Sequence, residues 1–372
     1  MATLTLEDLN LIYADGTHAV KHVDLTVEDG EFCVFLGPSG CGKTSTLRMV
    51  AGLEQPSSGE IRLDGRVIND LYPGERDIAM VFQHYALYPN RTVRDHFEMP
   101  LKAQKVGKDE RNRRVSEIAE LLKMEDLLDA KPRQLSGGQA QRTAIGRALI
   151  RKPKLFLLDE PLTSLDATLR LETRSALKRL QEDLNITTVY VTHDQEEALS
   201  LADKIMIMDD GEIQQVADSR ELYDRPSNLF VAGFVGTPPM NVVKGSLRRD
   251  RSVPYLETRS FDVSLDEVPH DALSDFGDGS DLMIGVRPED LLQDGIVERR
   301  PSGKLVISEM QGDEIILTVE IEPESGGTSA QYWKLRVPRV EGATDSPGSQ
   351  IGLAIRPGRL RLFHGANGER IV

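Results

Sequence analysis

Cysteine is scarce: the chain of 372 residues has two, Cys33 and Cys41. One sits in an apolar run and the other in the glycine-rich stretch just after it. A bridge between them would distort that stretch, so both are read as free thiols and a disulfide framework is excluded. Cys41 is read as a small packing residue. Long apolar runs are also missing, since none approaches the ~20 residues of a membrane span. Positive charge is in deficit: 45 Lys and Arg against 60 Asp and Glu give a net charge of −15. That balance argues against broad nucleic-acid binding, which needs a basic face. Met1-Ala2-Thr3-Leu4-Thr5 lacks the basic and apolar regions of a signal peptide. The chain is therefore expected to stay in the cytosol and to reach any membrane through a partner. Hydrophobic residues at 39% and charged residues at 28% describe a soluble globular protein. Its length exceeds one ordinary core, so two or three domains are expected.

The strongest positive signal runs Gly37-Pro38-Ser39-Gly40-Cys41-Gly42-Lys43-Thr44-Ser45 and fits the phosphate-loop pattern. Glycines let backbone N–H groups turn inward around phosphate oxygens. Lys43 adds a point charge toward the outer phosphates, and the Thr44 hydroxyl can ligate Mg²⁺. The preceding Phe32–Leu36 run is wholly apolar, as a buried parallel strand should be. Leu47, Val50 and Ala51 then recur at helical spacing, so the loop opens a helix whose positive end faces the phosphates.

The remaining pieces follow in order. Residues 3–36 read as β-rich, with Asp15-Gly16, Asp29-Gly30 and Asp64-Gly65 as hairpin-type turns. Tyr13 in the first hairpin can stack on an adenine ring or be a half-buried strand residue. Ile78–Phe82 predicts a second buried strand. Gln83 at its end can orient a water or touch Mg²⁺, or be a turn glutamine. Tyr85, Leu87 and Tyr88 make the next stretch more apolar than a loop needs, as a docking surface would be. Residues 101–131 are helical in pattern, with Ile118, Leu121, Leu122, Leu127 and Leu128 on one face and Arg111-Asn112-Arg113-Arg114 on a solvated one. In Leu135-Ser136-Gly137-Gly138-Gln139, Ser136 is a natural N-cap and the glycines leave N–H groups free, which makes a second anion site. Two such sites make sense if each completes the other's nucleotide pocket. Leu155–Leu158 predicts a third buried strand ending in Asp159-Glu160; Asp159 would hold Mg²⁺ and Glu160 would take a proton from the attacking water. Ser164-Leu165-Asp166 reads as a helix-capping segment. Thr187–Thr192 is a β-branched strand ending at His193, either a structural histidine or a hydrogen-bond partner of a γ-phosphate. A helix over 196–201 and strands over 204–208 and 213–216 complete this part.

Together these motifs resemble the ATPase subunit of ABC transporters. The likeness continues through Glu221-Leu222-Tyr223, Pro226, Asn228, Phe230–Phe234 and Met240-Asn241, and Ile284–Asp290 looks like the marker of a C-terminal regulatory domain. With Ala79–Pro89, these stretches are similar to the importer ATPases of the maltose and glycerol-3-phosphate type. The resemblance implies an α/β P-loop NTPase domain over 1–236 with a helical subdomain at about 88–152. A small all-β, OB-like (TOBE-type) barrel over 237–372 follows, where short alternating runs such as Lys304–Ile307, Glu314–Ile321 and Ile351–Ile355 are separated by turns like Ser325–Thr328. The acids Asp271, Asp275, Asp278 and Asp281 make an oxyanion pocket there a poor expectation.

The resemblance also implies roles. ATP and Mg²⁺ would be bound, Tyr13 stacking the adenine and Ser39–Ser45 wrapping the phosphates, with Gly37 and Pro38 opening the loop. Gln83 would sense Mg²⁺ and the water. Ser136, Gly137, Gly138 and Gln139 would contact the nucleotide of a second copy in a head-to-tail dimer. Glu160 would be the base and His193 would hold the γ-phosphate. Partners would be two transmembrane permease subunits and, indirectly, an extracytoplasmic solute-binding protein, with no nucleic acid, at the cytoplasmic face of the membrane. The solute implied is a carbohydrate; a polyamine, iron or oxyanion importer and a soluble non-transport ABC ATPase are the rivals. Ala130 stands where many members have an arginine near the partner's nucleotide, Ala140 departs from the usual residue before Gln141-Arg142, and Thr163-Ser164 departs from Ser-Asn.

Overall fold

The computed structural model describes residues 2–83, 86–163, 165–258, 261–295, 300–321, 331–339 and 346–372. Tyr85, Ser164 and the turn at 325–328 therefore lie outside the described residues. The chain forms two compact units, Met1–Glu221 and Leu222–Val372.

The first unit runs β1 (Leu4–Ile12), β2 (His18–Val27), β3 (Phe32–Leu36), α1 (Lys43–Ala51), β4 (Ser58–Leu63), β5 (Arg66–Val67), β6 (Ile78–Val81), α2 (Val93–Ala103), α3 (Lys108–Leu122) and α4 (Gly137–Leu149). It continues through β7 (Leu155–Asp159), α5 (Ala167–Leu184), β8 (Thr187–Thr192), α6 (Gln195–Leu201), β9 (Lys204–Asp209) and β10 (Glu212–Ala217), and the division between the units falls within α7 (Ser219–Asp224). Two sheets share its core, an antiparallel one of order β2-β1-β4-β5 and a six-stranded one of order β10-β9-β3-β8-β7-β6. In the second, β9, β3, β8, β7 and β6 run parallel, and only β10 is antiparallel. Every residue of β3 and of β8 is buried, which is why their sequences are apolar or β-branched throughout instead of alternating. Parallel strands align their C-terminal ends on one edge, so whatever follows β3, β6, β7 and β8 is gathered there.

Asp15-Gly16 and Asp64-Gly65 do close hairpins, β1–β2 and β4–β5. Asp29-Gly30 does not: it carries the chain from the antiparallel sheet into the parallel one. A strand as apolar as β3 needs a neighbour on both sides, and β8 and β9 supply them.

The predicted helical stretch, 101–131, holds the end of α2, all of α3 and a short 3-10 turn over Glu125–Leu127, so Leu127 and Leu128 lie beyond α3; α4 packs across α2 and α3. Thr92 caps α2, accepting from the Asp95 N–H at 3.1 Å while Asp95 reaches back to Thr92. Gly146 lets α4 approach α2: a Cβ there would sit 2.5 Å from the Phe97 ring. Ile118 and Leu122 are buried, but Leu121 is exposed, because the core-facing stripe of α3 takes Val115, Ile118, Ala119 and Leu122 at helical spacing. The arginine run is the solvated face expected of it, with Arg113 pairing to Glu110 and Glu117 and Arg114 to Glu110.

The second unit contains α8 (Leu229–Phe234), β11 (Asn241–Arg248), β12 (Tyr255–Glu257), β13 (Asp262–Ser264), β14 (Asp281–Val286) and β15 (Leu291–Asp294). They are followed by β16 (Ser302–Gln311), β17 (Glu314–Ile321), β18 (Gln331–Pro338), β19 (Gln350–Ile355) and β20 (Leu360–His364). Its strands form two five-stranded antiparallel sheets, β13-β12-β11-β14-β20 and β15-β19-β16-β17-β18. Both sheets contribute to one apolar core, with Trp333 edge-on to Phe261 at 5.6 Å. Asn241 ties the sheets: its side chain donates to the Lys334 carbonyl at 2.9 Å and accepts from the Lys334 N–H at 2.7 Å.

Candidate active site

β3 delivers the chain into the glycine loop. Gly42, at φ 105°, caps the start of α1, and a Cβ there would stand 2.5 Å from the Ala19 carbonyl oxygen. A Cβ at Gly37 would run into the Met208 carbonyl, so the loop threads between β2 and β9 only with glycine at both places. Lys43 is buried, and its Nζ donates to the carbonyls of Gly37 and Pro38, each at 2.8 Å. A buried amino group held by neutral carbonyls of its own loop has no carboxylate paired to it among the described residues. Cys41 and Cys33 are buried free thiols, and burial pushes both up from the usual thiol range, so neither is a nucleophile. The Tyr13 hydroxyl lies 3.1 Å from the Ser45 Oγ, which sets a partly exposed ring beside the loop.

The carboxylates come from the end of β7. Thr44 Oγ1 donates to Asp159 Oδ1 at 3.1 Å. Burial pushes the Asp159 carboxyl above its usual range, the Thr44 hydrogen bond opposes this, and the neighbouring Glu160 charge adds to it. Glu160 follows in left-handed backbone, φ 42°, its N–H donating to the Val191 carbonyl at 3.0 Å. A non-glycine residue held there is uncommon and clusters at functional sites. Three groups converge on its side chain: Gln83 Nε2 at 3.4 Å, Thr163 Oγ1 at 3.3 Å and His193 Nδ1 at 3.2 Å. Gln83, His193 and Glu160 thus arrive from the ends of three adjacent parallel strands.

Ser136, Gly137, Gly138 and Gln139 stand apart from this cluster. Ser136 Oγ accepts from the Gln139 N–H at 3.4 Å and the Gln139 side chain accepts from the Ser136 N–H at 2.8 Å, a reciprocal cap at the tip of α4. A Cβ on Gly137 would meet Leu165 at 3.2 Å, and one on Gly138 would meet Leu169 at 2.8 Å. The tip therefore rests on the start of α5, and among the described residues no hydrogen bond of Ser136 or Gln139 reaches the loop 37–45.

Sequence reasoning missed a buried polar set beneath His193. Glu197 accepts from Tyr190 Oη at 2.7 Å and from Thr192 Oγ1 at 2.8 Å. Burial raises its carboxyl above the usual range, although both hydroxyls and Arg170 favour the charge. Asp194 as N-cap of α6 was legible as a signal; the burial of Glu197 was not.

Among the described residues no group of three or more His, Cys, Asp or Glu is placed to hold a metal. The Thr44 hydroxyl and the Asp159 carboxylate instead offer two hard oxygens beside the loop, next to the Glu160 carboxylate. That set fits an ion of Mg²⁺ type that takes its other ligands from phosphate and water.

A strand, a glycine loop and a helix, with an acid pair two strands away in the same parallel sheet, define a P-loop nucleoside triphosphatase. A family model for the ABC transporter matches residues 20–163, and one for the MalK OB fold domain matches residues 236–291. The chain is 44% identical over 381 residues to the xylose/arabinose import ATP-binding protein of Haloferax volcanii, covering 100% of this chain and 96% of that one. It is 48% identical over 314 residues to the trehalose/maltose import ATP-binding protein of Thermococcus litoralis, covering 82% and 83% respectively. Among solved structures, a dimeric ATP-binding cassette in a post-hydrolysis state with ADP and phosphate is 34% identical, with a TM-score of 0.53 over 58% of this chain and 99% of that chain. The chain belongs to the family of ABC importer ATP-binding subunits, and it is an ATPase.

Proposed function

We propose that two copies of the chain, head to tail, hydrolyse ATP to drive carbohydrate import through two transmembrane permease subunits. A separate binding protein would deliver the solute. The observation that carries this reading is the division of the anion-binding groups. One set surrounds Lys43, while the Ser136 tip, closed by its reciprocal cap with Gln139, makes no hydrogen bond to that loop among the described residues. A second copy offers each tip a phosphate. The sugar assignment rests on relatives whose names carry xylose, arabinose, trehalose or maltose.

In the proposed reaction Tyr13 stacks the adenine, and the N–H groups of 37–45 with Lys43 hold the β- and γ-phosphates. Glu160 takes a proton from a water that Gln83 orients. The water oxygen bonds to the γ-phosphorus as the bond to the bridging oxygen breaks and ADP leaves. His193 hydrogen-bonds the γ-phosphate, within reach of Glu160 at 3.2 Å. Thr44 and Asp159 would hold Mg²⁺, which supplies positive charge to the phosphate oxygens when bound. Residues 237–372 would be the regulatory module. Among the described residues no helix is long and apolar enough to cross a membrane, and the proposed station is peripheral, on the cytoplasmic face.

Glu160→Gln tests the core of this. The variant should bind ATP and form an ATP-dependent dimer, lose turnover by roughly 100- to 10,000-fold, and abolish uptake across a panel of labelled sugars. Hydrolysis at the wild-type rate would remove Glu160 as the base, and a monomer with ATP bound would remove the paired site.

A further inference from the structure

The two halves of the anion machinery are joined inside one chain by a short physical path. At one end, the tip of α4 rests on Leu165 and Leu169, which a Cβ on Gly137 or Gly138 would touch at 3.2 and 2.8 Å. Arg170 follows directly on α5. Its Nη2 donates back to the Leu165 carbonyl at 3.1 Å, and its Nη1 lies 3.5 Å from Asp194 Oδ2. Asp194 in turn caps α6, accepting from the Glu196 and Glu197 N–H groups at 2.9 and 3.2 Å, and its own N–H donates to Thr192 Oγ1 at 3.0 Å. His193 lies between Thr192 and Asp194, so both its backbone neighbours are pinned, and its ring reaches Glu160 at 3.2 Å. Glu197 anchors the same set from below through Tyr190 and Thr192.

We propose that Arg170, tied to Leu165 and Asp194, is a positioning residue that couples the Ser136 tip to the His193–Glu160 pair of its own chain. The inference rests on the two-copy reading. There, a phosphate arriving from the partner loads the tip of α4, the tip moves against Leu165 and Leu169, and Arg170 transmits the displacement to the residue after His193. Arg170 touches no phosphate in this scheme. Its part is to make each site's chemistry conditional on the other being filled, which is a coupling between two binding events. Leu165 and Arg170 are suited to it: packing at glycine leaves no slack, and a guanidinium holds two partners in one plane.

The test uses the full-length chain. Wild type should hydrolyse ATP with a Hill coefficient clearly above 1. Arg170→Met should bring that coefficient toward 1 and lower kcat about 2- to 30-fold, the range in which such networks modulate coupling. Nucleotide affinity, measured in the Glu160→Gln background, should stay within about twofold. Asp194→Asn keeps the cap of α6 but weakens the ion pair, so it should move the same readouts without loss of fold. Arg170→Lys, which reaches one partner only, should restore part of the cooperativity. Retained cooperativity in both Arg170→Met and Asp194→Asn overturns this inference alone, as does a fall in nucleotide affinity that parallels the fall in kcat. A wild-type Hill coefficient of 1 with no ATP-dependent dimer overturns the two-copy reading along with it.

Discussion

Arg76 shows how one side chain closes a helix. It is buried, and its guanidinium donates to the carbonyls of Met49 and Val50 at the end of α1 and to those of Asn69 and Leu71. The Met49 carbonyl also takes the Gly52 N–H of the helix cap, and the guanidinium fork completes both helix-end carbonyls without a carboxylate nearby. His96 is a second such residue, and it must be neutral. Its Nδ1 donates to the Thr92 carbonyl at 2.7 Å and its Nε2 accepts from the Tyr88 N–H at 2.9 Å. Burial holds its pKa below 6.5, against the favourable Thr92 contact. Below that value the unfolded chain takes up a proton that the folded one refuses, so the His96 contribution is present above pH 6.5 and is lost as pH falls through it. Urea unfolding between pH 7.5 and 5.5 should therefore show a shallower acid loss in His96→Gln than in wild type. Equal slopes would mean that His96 titrates normally.

Elements are placed here by close approach more than by propensity. α4 crosses α2 at Gly146, where a methyl group would face Phe97 at 2.5 Å and Leu122 at 2.7 Å. Gly146→Ala raises helix propensity yet should destabilise the ATPase unit by about 1–3 kcal/mol, since an overpacked core outweighs the gain. A measured stabilisation would show that the crossing has room to relax. The same physics governs the tip of α4. Gly137 and Gly138 lie close on Leu165 and Leu169, where any larger side chain would hold the tip away.

At the scale of the whole molecule, the short helix α8 matters most to where the chain can be cut. The motifs suggested a division after 236, while the compact units meet at Glu221 and Leu222. Leu229 and Ala232 of α8 pack with Met240, Met283 and Phe363 in the second unit. A fragment of residues 1–236 would carry α8 without that cluster. It should aggregate more than a fragment of residues 1–221 in light scattering, and its segment 229–234 should exchange amide hydrogens freely. Protection of that segment in the longer fragment would assign α8 to the first unit instead.

The sequence by itself determined the chemistry of the parts. The glycine loop, the apolar strands ending in Gln83, Asp159-Glu160 and His193, and the Ser136 cap are local patterns, because turning a backbone around phosphate or ending a buried strand in a polar group is a short-range requirement. Ending buried parallel strands placed these groups at one sheet edge, but the order β8-β7-β6 that brings Gln83, Glu160 and His193 together belongs to the fold. Tertiary structure alone decided the rest: that Asp29-Gly30 crosses between sheets, that Leu121 faces outward, that Glu197 is buried, and that Arg170 spans from Leu165 to Asp194. Each depends on which surface packs against which, and packing joins residues whose separation along the chain carries no periodicity or motif to announce it.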